Sequence, residues 1–152
     1  MPIRLKSKVV DYISPYIIAI ILGWIVAQGI KYIITSIKDG TPSGLRHLYL
    51  SGNMPSAHTA TVIALLTLIG FRDGVGSGLF ALATLFATIV MYDAVMVRRS
   101  SGEQGRAIQL LIKEQGSLVK MPRAAKGHEP LEVFVGALLG MLIGAVVFLA
   151  TT

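Results

Sequence analysis

Four apolar runs, separated by polar or glycine-rich stretches, organise the chain. The first extends from about Tyr12 to Ile37 and is broken by Ser14, Pro15, Gln28 and Lys31; the second covers about Ala57 to Phe71. The third covers Gly78 to Val97 and the fourth Leu131 to Ala150. A helix needs about 20 predominantly apolar residues to cross bilayer hydrocarbon. Three runs meet that length, while the second is short and is expected to be tilted or to reach only part way. The pattern predicts an all-α, polytopic membrane helical bundle with about four transmembrane helices, over about 12–37, 55–71, 78–98 and 130–150. A water-soluble bundle would need charged outer faces, which these segments lack.

The intervening stretches carry turn chemistry. Lys38 to Asn53 contains Gly40, Pro42, Gly44 and Gly52 and is expected to be a loop. Pro55 then suits the first turn of the second helix, where its missing N–H costs nothing. Arg72-Asp73-Gly74-Val75-Gly76-Ser77 is expected to be a tight reversal. Residues 100–126 form the long connection, and about Glu103 to Glu114 is amphipathic, with Ile108, Leu111 and Ile112 on one helical face. Such an interfacial helix either lies among lipid headgroups or packs on the bundle. Arg4, Lys6 and Lys8 precede the first run like a secretory n-region, but that run is too long for an h-region and is expected to be retained.

Four crossings put loops 38–56 and 98–130 on one face, and the 72–77 turn with both chain ends on the other. The last run carries Gly136, Gly140 and Gly144 at a four-residue spacing, which lets another helix approach closely. The stripe is expected to pack within the fold, and a homo-oligomer seam would use the same pattern.

Composition sharpens this picture. Hydrophobic residues make up 53% and charged residues 14% of the 152 residues, against roughly 25% charged in soluble domains. One integral membrane domain spanning 1–152 is expected. With no cysteine there is neither a disulfide framework nor a thiolate metal site. The net charge of +6 lies between apolar segments, so membrane lipid headgroups or a substrate phosphate, and no nucleic acid, are the expected partners. Arg98, Arg99, Arg106, Lys113, Lys120, Arg123 and Lys126, with Lys38 and Arg46, outnumber Arg4, Lys6, Lys8 and Arg72 on the other face. The positive-inside rule then puts the more basic face in the cytoplasm, with the cell membrane as the expected location.

Chemistry converges on that basic face. Metal-free cleavage of a phosphate ester needs a nucleophile, a proton donor for the leaving oxygen and fixed positive charge around the phosphoryl oxygens. His128 and Glu132 are one helical turn apart, with Pro130 marking the helix start, so the carboxylate is placed to hold one imidazole nitrogen. His58 stands in the first turn of the second helix, where Ser56 and free N–H groups can receive an anion. Arg98 and Arg99 offer forked donors matched to phosphate oxygens. Asp93, one turn inside the end of the third helix, is costly there unless paired. Arg98, Arg99 or Lys38 could pair with it, or it could bind a cation with Glu103, although two carboxylates alone are a weak metal signal. No cofactor and no metal are expected.

Pro-Ser-Ala-His-Thr-Ala at 55–60 resembles the Pro-Ser-Gly-His-Thr-Ala motif of the type 2 phosphatidic acid phosphatase and vanadium haloperoxidase superfamily. His128-Glu129-Pro130-Leu131-Glu132-Val133-Phe134-Val135-Gly136 resembles its His-x-Pro-x-Asp-Val-x-x-Gly segment. With Met91-Tyr92-Asp93-Ala94 and Val97-Arg98-Arg99 added, the chain is more closely similar to the divergent PAP2 family, over about Arg46 to Gly144. The resemblance implies a helical membrane fold and a phosphohistidine mechanism. His128 would be the nucleophile, Glu132 its orienting carboxylate and His58 the acid, with Ser56 and the Ala57 backbone near phosphate. The superfamily's first-motif lysine before Arg-Pro is absent, and Lys38 and Arg46 are the nearest candidates. The arginine that normally precedes the third-motif histidine is also absent, a place Arg98 or Arg99 could take. The resulting expectation is a phosphatase acting on phosphatidate, phosphatidylglycerol phosphate or a polyprenyl (di)phosphate. A non-hydrolytic lipid-phosphate binder or translocase would use the same cationic pocket, and a purely structural protein would tolerate changes at both histidines.

Overall fold

A computed structural model describes residues 13–40, 54–122, 124 and 127–152. Arg46, His47, Lys126 and the basic N-terminal residues 4–8 lie outside the described residues. The order is α1 (Pro15–Asp39), α2 (Ala57–Arg72), α3 (Gly78–Tyr92), a π-turn (Asp93–Val97), α4 (Arg98–Glu114) and α5 (Pro130–Thr151). The described residues form an all-helical fold, and α1, α5 and the continuous helix 78–114 are long and apolar enough to cross a membrane. The 16 residues of α2 rise only about 24 Å, some 6 Å less than typical bilayer hydrocarbon.

The outward faces confirm the membrane pattern. Leu82, Leu85, Phe86 and Ile89 on α3, and Leu138, Leu142 and Leu149 on α5, are exposed. In water so much exposed apolar surface would drive association; in lipid it is the ordinary outside of a spanning helix. The interior instead holds small residues, and α2 lies at its centre, packed on α1, α3 and α5. Ala57, Thr59, Ala60, Ala64 and Leu68 of α2 are all buried, with Ala19 and Ala27 of α1 and Ile143 and Val147 of α5.

The glycine stripe explains how α2 and α5 come so close. A Cβ at Gly136 would lie 2.6 Å from the Ser56 carbonyl oxygen, and one at Gly144 would lie 2.6 Å from that of Ala64. Gly140 faces Ala60 in the same way. Small residues four apart on one helix thus meet glycines four apart on the other. All three glycines are buried and packed on α2 of the same chain.

That register also locates the shortfall of α2. The Arg72 guanidinium donates to the Thr151 carbonyl at 3.0 Å, so α2 and α5 end level. At the other end the Ser56 N–H donates to the Glu132 carbonyl at 3.0 Å. α2 therefore begins nearly two turns below the start of α5, and the missing length lies wholly at that end.

Two element boundaries differ from the sequence expectation. Pro55 is fully buried but precedes the helix, because Ser56 is the N-cap and Ala57 the first helical residue. The break expected after residue 98 is absent: α4 continues α3 through the π-turn, the amphipathic piece expected over about Glu103 to Glu114 is the end of that continuous helix, and the non-helical segment begins only after Glu114. Gly102 and Gly105, which suggest a break on propensity alone, are buried within α4.

Candidate functional site

The site is assembled at the start of α5. Glu129 is the N-cap and Pro130 the first helical residue, and Glu132 completes a capping box with Glu129. The Glu132 Oε2 atom accepts the Glu129 N–H at 3.2 Å and lies 2.8 Å from His128 Nδ1. One carboxylate oxygen thus closes the helix start and holds the imidazole. With that carboxylate ionised, Nδ1 carries the proton and donates it, leaving Nε2 with a free lone pair. Both side chains are 8% exposed, so the geometry is fixed by packing as well as by the bond.

His128 is held from the backbone too. Its N–H donates to the Ala94 carbonyl, within the π-turn, at 3.2 Å. The preceding residue must be small: a Cβ on Gly127 would lie 2.5 Å from the Arg99 Cα. The 127–128 backbone therefore rests directly on the start of α4.

His58, Ile89, Val90, Asp93, Ala94, Arg98 and His128 line one cavity of about 230 Å³. The fold thus brings together the two histidines, Arg98 and Asp93 from segments 58, 93–98 and 128. The second residue of α2, His58, sits where the helix dipole and free N–H groups favour an anion. Arg98 Nε donates to Asp93 Oδ2 at 2.6 Å, both side chains being partly exposed.

Other expected site residues lie elsewhere. Ser56 is fully buried, its Oγ accepting from the Thr59 hydroxyl at 3.0 Å while its backbone bonds Glu132. Ala57 is likewise buried in the α2 interface. Both therefore pack α2 rather than line the cavity. Arg99 turns to Glu103 at 3.3 Å in an exposed pair, so Glu103 does not join Asp93. Lys38 is exposed in the last turn of α1 and does not line the cavity. Arg46 falls outside the described residues.

Lys31 is a residue the sequence reading passed over. It is 7% exposed on α1, and its ammonium acts electrostatically on both Glu132 and His58. The available signal was its position: a lysine well inside an apolar run is costly unless it faces polar groups. Ala94 carried no signal, since it contributes a backbone carbonyl.

The chain matches the family model described as "Divergent PAP2 family" over residues 13–143. It is 35% identical over 140 residues to "Uncharacterized membrane protein YuiD" of Bacillus subtilis (strain 168), spanning 82% of this chain and 85% of that protein. No solved structure matches it.

Proposed function

The chain belongs to the divergent PAP2 family, and from that premise we propose that it is an integral membrane phosphatase hydrolysing a lipid phosphate through a phosphohistidine. The observation that carries this reading is the buried His128–Glu132 pair, 2.8 Å apart, whose histidine lines one cavity with His58 and Arg98.

In the first step His128 Nε2 attacks phosphorus, forming a P–N bond as the ester P–O bond breaks. Glu132 stabilises the imidazolium that develops, as the carboxylate of a catalytic triad does. His58, protonated, gives its proton to the leaving alkoxide. In the second step a water loses its proton to His58 and attacks phosphorus, breaking the P–N bond and releasing phosphate. Arg98 and the N-terminus of α2 stabilise the equatorial oxygens in both steps. Substrates of this class are phosphatidate, phosphatidylglycerol phosphate and polyprenyl (di)phosphates. The basic count of the 98–126 segment supports a cytoplasmic site in the cell membrane.

A second reading, a lipid-phosphate binder or translocase, is favoured by one observation: Ser56 is buried against α2 and α5, which leaves fewer hydroxyl donors for a transition state. Phosphate release from those lipids by purified protein in detergent, beside His128→Ala and with or without chelator, separates the two. The phosphatase reading expects release that persists with chelator and vanishes in His128→Ala while insertion is unchanged. Phosphate-lipid binding without release from any lipid would replace it with the second reading.

A further inference from the structure

Arg98 and Arg99 are adjacent in sequence and equivalent in chemistry, yet only Arg98 lines the cavity. The π-turn supplies the reason. In a regular α-helix, residues five apart point about 140° away from one another. Asp93 and Arg98 are five apart, yet their side chains bond at 2.6 Å. Between them the chain closes an i to i+5 backbone bond, the Arg98 N–H donating to the Asp93 carbonyl. That one wide turn brings the fifth residue back over the first.

We propose that the Asp93–Val97 turn is a register device that delivers Arg98 to the cavity in a form already held by Asp93, and that an incoming phosphoryl group displaces the Asp93 carboxylate from Arg98. Single wide turns inside α-helices recur at functional sites, and this one has two ties to the catalytic side. Its Ala94 carbonyl receives the His128 N–H, and its Asp93 and Arg98 side chains line the same cavity as both histidines. The α3–α4 helix thereby spaces the guanidinium from the nucleophile, a distance that the 127–128 backbone alone would leave to a loop. Asp93 accordingly has two effects. It orients Arg98 before substrate arrives, and it competes with the phosphoryl oxygens for the same donors.

The inference rests on the phosphatase reading only in that the cavity accepts a phosphoryl group. Its test is equilibrium binding of inorganic phosphate to the full-length protein in detergent, which needs no turnover. Asp93→Asn removes the competing charge and is expected to tighten phosphate binding about three- to tenfold, whereas Arg98→Lys loses the fork and weakens it about tenfold. Arg99→Lys is expected to bind as the parent does.

Unchanged or weaker binding in Asp93→Asn, or equal losses at Arg98 and Arg99, overturns the proposal. So does absence of phosphate binding by the parent protein. Hydrolysis of lipid phosphates with no effect of Asp93→Asn sinks this inference and spares the phosphatase reading. The expected binding pattern without hydrolysis does the reverse.

Discussion

The two ends of the bundle use polar residues in opposite ways. At the 72–77 end the Tyr16 hydroxyl donates to Asp73 Oδ2 at 2.6 Å and Arg72 donates to the last turn of α5. Gly74 turns at φ 84°, and the Ser77 hydroxyl caps α3 by accepting the Phe80 N–H. The Tyr16 and Arg72 side chains tie one helix end to another, Ser77 caps its own helix, and all are exposed or half-buried. At the other end a carboxylate and an imidazole are buried together, and a second imidazole and a guanidinium face them across a cavity. Burying such groups costs several kcal/mol unless they are well paired. Among the described residues the bundle carries that cost at one end only, which separates a site from a seam.

Substitutions at each end test that contrast. The largest effect is expected at Glu132→Gln, which keeps the side chain's shape but frees the imidazole to take the wrong tautomer. Phosphate release should fall about 10²-fold or more, and a loss confined to KM would merge the two ends. Gly140→Val, between the ends, is expected to destabilise the bundle by about 1–3 kcal/mol through overpacking, because its Cβ would meet the Ala60 carbonyl. Thermal unfolding in detergent reads this, and an unchanged midpoint would mean that α2 and α5 need no close approach. The smallest effect is expected at Tyr16→Phe: the bond to Asp73 is exposed, so stability should drop by about 1 kcal/mol or less. Activity there should equal the parent's, and a tenfold loss would mean that the 72–77 end participates.

Much of this arrangement was legible in the chain itself. Apolar run lengths placed α1, α2, α5 and the start of α3 to within a few residues, and counting crossings put residues 58, 98 and 128 on one face. The i, i+4 spacing of His128 and Glu132 anticipated their bond, because a proline-marked helix start leaves little freedom to either residue. What escaped was what periodicity does not encode. A π-turn adds one residue to a helix whose apolar pattern reads the same with or without it, so the break expected near Ser100 and the equal standing of Arg98 and Arg99 both failed there. The motif suggested phosphate for Ser56, but Ser56 is small enough to lie between α2 and α5, and close packing claimed it. Lys31 was visible as an interruption of its run, yet only the packing of α1 on α2 turns that interruption toward Glu132.

The recessed start of α2 has a consequence for the lipid. A bilayer beside a short helix ordinarily thins or the helix tilts, but α2 is flanked by three longer helices that meet the hydrocarbon for it. In a bilayer the mismatch of about 6 Å would therefore fall inside the protein as a dent in the water–hydrocarbon boundary, with His58, in the first turn of α2, on its floor. A headgroup reaching that floor descends below the level of its neighbours while its chains stay in the bilayer, so hydrolysis would not require the lipid to be lifted out.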